Sequence, residues 1–143
     1  MSEVIAPVGL DRLAECLRIR HSVFVIGQNV PEAEEVDGRD PDCLHYLVTQ
    51  TGTPVATARV LPLNGIGKVQ RVAVLETARS GGIGSKLMRF ILKDLQQTHG
   101  FSQAKLGSQT HAIGFYEKLG FKAFGPEFDD AGIPHREMSI DLA

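Results

Sequence analysis

The chain has no tryptophan, no long apolar run and no N-terminus of the signal-peptide kind. These absences argue against a membrane span and against secretion. Cysteine is scarce: Cys16 and Cys43 are the whole supply, too few for a disulfide framework. That points to a reduced, cytoplasmic setting. An excess of charge is missing too. Against 15 Lys and Arg stand 17 Asp and Glu, a formal net charge of −2, so electrostatic capture of nucleic acid or of an anionic membrane is not expected. His21, His45, His99, His111 and His135 show no spacing of the H-x-x-x-H kind and no cysteine pair to help them, so no metal is expected. Repeats, low-complexity tracts and internal linkers are absent as well. What remains is a chain of 143 residues, 43% hydrophobic, an ordinary globular composition. Its length fits one domain over residues 1–143, able to bury roughly 70% of the unfolded chain's surface.

The most informative stretch runs from Lys68 to Met88. Val69, Val72, Ala73, Val74 and Leu75 form a short apolar, β-branched run that suits a largely buried strand. Arg79, Ser80, Gly81, Gly82, Ile83 and Gly84 make a glycine-rich turn, and Leu87, Met88, Ile91, Leu92 and Leu95 then recur at helical spacing. Strand, glycine turn, helix brings bare amides to the positive end of a helix dipole, where a phosphate or pyrophosphate can sit. A P-loop would need Lys-Ser or Lys-Thr after its last glycine, whereas Gly84 is followed by Ser85-Lys86. The dinucleotide fingerprint G-x-G-x-x-G is absent. The pattern Arg-x-x-Gly-x-Gly is met by Arg79, Gly82 and Gly84. An ordinary strand-to-helix turn accounts for these few residues equally well.

The rest of the chain supplies the context. Leu10, Leu13, Ala14, Leu17 and Phe24 predict an amphipathic helix from about residue 10; Cys16 lies off that stripe. From Gly27 to Asp42 the pattern dissolves, and six acids face one cation, Arg39. A solvated loop is the default for such a run; a lure for a protonated amine is the functional alternative. Cys43–Thr49 and Val55–Leu61 read as a hairpin around Thr51-Gly52-Thr53-Pro54. Pro62 to Gly67 reads as a turn. The central strand follows, then the helix to about Thr98, a short strand Gln103–Gly107, and a second amphipathic helix carrying Ala112, Phe115, Tyr116 and Leu119 that Gly120 closes. Phe121–Phe124 and Arg136–Leu142 read as closing strands with a long loop, Gly125 to His135, between them. Hairpins mixed with βα units imply an α/β fold with a mixed (α+β) sheet flanked by helices.

In this order and with these motifs the chain resembles the GNAT acetyltransferases. The loop Arg79–Ser85 looks like their pyrophosphate loop, and Tyr116-Glu117-Lys118-Leu119-Gly120-Phe121 looks like their second signature. The likeness covers essentially the whole chain. Arg20-His21-Ser22-Val23-Phe24-Val25, Pro31-Glu32-Ala33-Glu34-Glu35, His45 and Gly132-Ile133-Pro134-His135 resemble a small bacterial subgroup in which a Glu usually precedes the Gln at position 28; here Gly27 stands there.

The resemblance implies the GNAT fold, acetyl-CoA as co-substrate and an amine as acceptor, either a small molecule or a protein amino group. It places the pyrophosphate on Arg79, Ser80, Gly81, Gly82, Ile83, Gly84 and Ser85. It places the pantetheine arm on the backbone of Val72, Ala73 and Val74 by strand addition, with a backbone N–H of that strand steadying charge on the thioester carbonyl. Gln109 stands where the family often has an Asn that contacts the arm. Tyr116 matches the family's general acid, and a phenol of pKa about 10 is a sensible proton donor to a leaving thiolate. A general base is not evident; Glu34, Glu35, His45, His111 and His135 are candidates. Two rivals stand beside an N-acetyltransferase: a non-catalytic acyl-CoA-binding module, favoured by the missing base and by Gly27, and a nucleotide-phosphate enzyme using the same turn. Monomer and homodimer both remain open.

Overall fold

The computed structural model describes residues 2–142. Its elements are β1 (Glu3–Val8), α1 (Leu13–Arg20), α2 (Glu32–Glu35), β2 (Leu44–Gln50), β3 (Thr53–Leu63), β4 (Ile66–Val74), α3 (Ile83–Gln97), β5 (Gln103–Gln109), α4 (Ile113–Lys118), β6 (Lys122–Asp130) and β7 (Ile133–Asp141). The strands form one seven-stranded sheet in the order β1-β2-β3-β4-β5-β7-β6. Every neighbouring pair is antiparallel except β4 and β5, which are parallel and joined by the crossover through α3. The expected mixed sheet with helices is therefore present.

The helices cover the two faces of this sheet. On one, Leu87, Met88, Ile91 and Leu95 of α3 are fully buried against Val60, Val69, Ala104, Leu106 and Met138, with Tyr116 and Leu119 packed at the margin. This is the periodic stripe read from the sequence, and such burial is the main stabilising term of the fold. On the other, Cys16, Ile19 and Val23 pack with Leu47 and Ala73.

The structure corrects the sequence reading at four places. Strand β1 was not foreseen: it is a half-exposed edge strand that carries Pro7 without a break in register, and edges are where proline is tolerated and alternation is weak. The buried face of α1 is Cys16, Ile19 and Arg20, continued by Val23 in the helical segment that follows, whereas Leu10 is exposed; a buried arginine hid the true stripe. The segment 62–67 is mostly strand, with only Asn64-Gly65 at the turn. The expected loop 125–135 is also mostly strand. Ala131 and Gly132 make its tight turn with φ of 54° and 79°, the primed geometry that suits a twisted hairpin, and an irregularity between Phe124 and Phe128 absorbs the residues between them.

Candidate active site

The site begins where two strands part. The parallel ladder runs from Ile66 opposite Gln103 to Val69 opposite Leu106 and stops there. Beyond it β4 continues to Val74 and β5 to Gln109 without pairing to each other. A bulge drives the separation. Between the pairs Arg59–Gln70 and Thr57–Ala73 the strand β4 carries Arg71 and Val72 against the single Ala58, and Arg71 has a φ of 56°. A bulge bends and twists its strand, and this one also re-sorts the side chains: Val69 enters the α3 core, whereas Ala73 enters the α1 core.

The gap opens into a cleft of about 620 Å³. Val69, Gln70, Arg71, Val72 and Val74 line one wall, Leu106, Gly107 and Gln109 the other, and Tyr116 its α4 side. Arg79, Gly82, Gly84 and Ser85 sit at its edge. Gly82 precedes the first turn of α3 with a φ of 71°, and no side chain caps that helix. The first amides of α3 are consequently left for an outside acceptor. A Cβ on Gly82 would meet nothing within 4 Å, whereas one on Gly84 would lie 3.4 Å from Phe115. A diphosphate fits such a notch: open space, uncapped N–H groups and the Arg79 cation.

The other predicted residues divide. Ile83 is buried and can offer only its backbone, as can Ala73. Ser80 and Gly81 are exposed on the turn before the notch and do not line the cleft. Arg79 donates from Nε to the carbonyl of Val74 at 2.9 Å, so one acceptor on the β4 edge already has a partner. Gln109 donates to Gln28 Oε1 at 2.9 Å, and its own Oε1 lies 2.6 Å from His111 Nε2. Tyr116 is half-buried, edge-on to Phe115 and Phe121. Burial pushes its phenol up to about 12, so it keeps its proton at neutral pH.

The acidic stretch is only in part the expected solvated loop: Glu32, Glu34 and Asp42 are exposed without ion pairs among the described residues, whereas the other three acids are held by arginines. Arg20 Nε meets Glu35 at 3.0 Å and its Nη1 meets Asp40 at 2.7 Å. Arg59 binds Asp40 at 2.9 Å and Asp37 at 2.6 Å. Arg71, on the bulge, binds Glu35 at 2.7 Å and donates to the carbonyls of Glu34 and Glu35. Arg20 and Arg59 are each 1% exposed. Hydrogen bonding from Arg59 holds Asp37 far below the usual carboxylate range. Burial would raise Asp40, but hydrogen bonds from Arg20 and Arg59 outweigh it and hold it low. Three of the six acids are thus consumed in anchoring a strap, residues 34–40, beside the cleft.

Sequence reasoning overlooked Gln28, Arg71 and Phe128 as lining residues. The available signal was an arginine in each of two apolar strands, at 59 and 71, with no partner nearby in sequence. Of the candidate bases, Glu35 is held by Arg20 and Arg71, and His45 is buried with Nε2 on the carbonyl of Asp40 and does not line the cleft. Burial raises the Cys16 and Cys43 thiols, which suits structural roles.

Comparison with known proteins now decides the family. The profile described as an acetyltransferase (GNAT) domain matches residues 20–142. The chain belongs to the GNAT acetyltransferases. The uncharacterized N-acetyltransferase YjcF of Bacillus subtilis is 37% identical over 132 residues, covering 92% of this chain and 94% of YjcF. An acyl-CoA N-acyltransferase from Pseudomonas aeruginosa superposes with a TM-score of 0.84 at 28% identity, over 97% of this chain and 99% of that one. An aminoglycoside 6'-N-acetyltransferase solved with coenzyme A shares the fold at a TM-score of 0.78 and 15% identity, over 98% and 97%. As a GNAT protein the chain is an acetyl-CoA-dependent N-acetyltransferase. Among the described residues no helix is long and apolar enough to cross a membrane, and no three His, Cys, Asp or Glu side chains gather as a metal site.

Proposed function

We propose that this protein moves an acetyl group to an amine by direct attack within the cleft between β4 and β5, with Tyr116 as general acid. The observation that carries the reading is the parting of the parallel ladder after Val69 and Leu106, with the uncapped start of α3 at its edge and Tyr116 in its lining. Acetyl-CoA supplies an activated acetyl thioester when bound. Arg79 and the amides of Gly82 to Ser85 hold its diphosphate. The backbone edge of Val72 to Val74, apart from the Val74 carbonyl that Arg79 occupies, takes the arm as an added strand, and one of its N–H groups faces the charge that develops on the carbonyl oxygen. Tyr116 gives its proton to the departing sulfur; its phenol lines the cleft and is protonated at working pH, so it has that proton to give.

The test is release of CoA thiol in the presence of a panel of alkylamines and peptide amines. Tyr116→Phe is expected to lower turnover about 100-fold, the size of a general acid–base contribution, while the acetyl-CoA dissociation constant stays within about twofold, since the hydroxyl is assigned no part in ground-state binding. Unaltered turnover in that variant would remove Tyr116 from the mechanism. Binding without turnover across the panel would favour the non-catalytic module instead.

A further inference from the structure

Resting on that reading, we infer that His135 is the general base that takes the proton from the amine acceptor. Along β7 the side chains alternate. Met138 and Ile140 join the α3 core, and His135 and Glu137 lie on the opposite face. His135 stands directly across from Gln109 on β5 and from Phe128 on β6. It is 8% exposed and lines the cleft.

Two contacts fix the imidazole. The ring of Phe128 stacks on it, with centroids 5.7 Å apart and planes 29° apart. Phe128 is itself held over Gly107, where a Cβ would come within 3.2 Å of its Cζ. The second contact sets the chemistry: His135 Nδ1 lies 2.7 Å from the carbonyl oxygen of Ile133. A carbonyl only accepts, so Nδ1 carries the proton. In the neutral ring Nε2 then holds the lone pair, and it has no hydrogen-bond partner among the described residues. His111 is the nearest rival, but it is exposed and leans on the amide of Gln109, which can turn over and donate or accept. His135 is the candidate whose tautomer the backbone dictates and which also faces the cleft.

The step balances. Nε2 of His135 accepts the ammonium proton, the freed nitrogen bonds to the acetyl carbon as the carbon–sulfur bond breaks, and Tyr116 gives its proton to sulfur; the second proton, shed by the nitrogen as it becomes an amide, restores the phenol, so the net proton released is the one on His135. Charged groups lining the same cleft are Glu137 on β7, Asp130 at the end of β6, Glu34 and Glu35 on the strap, Lys68 and Arg71 on β4, and Arg79. Glu137→Gln therefore serves as the control.

The experiment compares the intact protein with His135→Gln, using benzylamine, tyramine and putrescine as acceptors. His135→Gln is expected to lower kcat about 100-fold at neutral pH, with acetyl-CoA affinity unchanged. The deficit should shrink as pH rises toward the acceptor's own pKa, because solvent then delivers the free amine. Glu137→Gln should not reproduce that recovery. Unchanged kcat in His135→Gln, or a deficit equal at every pH, overturns the inference and leaves acetyl transfer standing. Failure of the intact protein to acetylate any of the three amines or a wider panel sinks the parent reading and the inference with it. Nitrogen-15 NMR of the histidines is an independent check needing no variant: a proton found on Nε2 of neutral His135 rules it out as the base.

Discussion

The glycine turn 79–85 and the strap 34–40 flank the same cleft and are built on opposite plans. The turn offers almost nothing but backbone: no side chain caps α3, and Gly82 stands in open space. The strap is tied down by side-chain bonds, three of its four carboxylates shared among three arginines. One region keeps its donors unsatisfied, as the proposed diphosphate site requires; the other spends its charges on itself. A part that must bind is left incomplete, whereas a part that must hold a shape is closed.

The sharpest way to break this comparison is to open the strap. Arg20→Ala leaves Glu35 and Asp40 short of a partner in a buried setting and is expected to cost about 3–5 kcal/mol in urea unfolding; a loss below about 1 kcal/mol would put the strap among exposed ion pairs. A smaller effect is expected at the turn. Gly82→Ala meets no obstruction, so the cost should be backbone strain alone, about 1–2 kcal/mol. Acetyl-CoA titration calorimetry on the same variant should register weaker binding; equal affinity would separate the turn from the ligand. The mildest test is acid. Asp37 and Asp40 are held below their ordinary range, so folding binds fewer protons than the unfolded chain does. Their contribution is fully present above the unfolded aspartate value of about 3.9 and is lost as pH falls toward the folded values. A circular-dichroism titration should be level above about pH 5 and decline in acid, and 1 M salt should do little to the buried pairs.

The same contrast explains what could be read from the amino acids. The turn left a trace because bare backbone demands glycine, and glycine beside a buried strand and an apolar helical stripe is a local pattern. The strap left none: Glu35 and Asp40 find their arginines 15 to 36 positions away, and a lone acidic run defaults to solvent. Arg20 also turned α1, since periodicity counts a charge as an outward residue. The bulge was hidden because a non-glycine, Arg71, occupies the left-handed position there. Strand β1 was lost to Pro7 and to its half-wet edge. For Gly114, where a Cβ would meet nothing, the structure offers no reason.

Four residue pairs, Ile66–Gln103 through Val69–Leu106, stitch the two antiparallel halves of the sheet together. A molecule lying in the gap past that seam extends it by the rungs the protein omits, so the two halves become stiffer when loaded than when empty. On the proposed reading, release of the spent carrier unmakes those rungs, so hydrogen exchange along the parted stretches of β4 and β5 should slow on loading and recover on discharge.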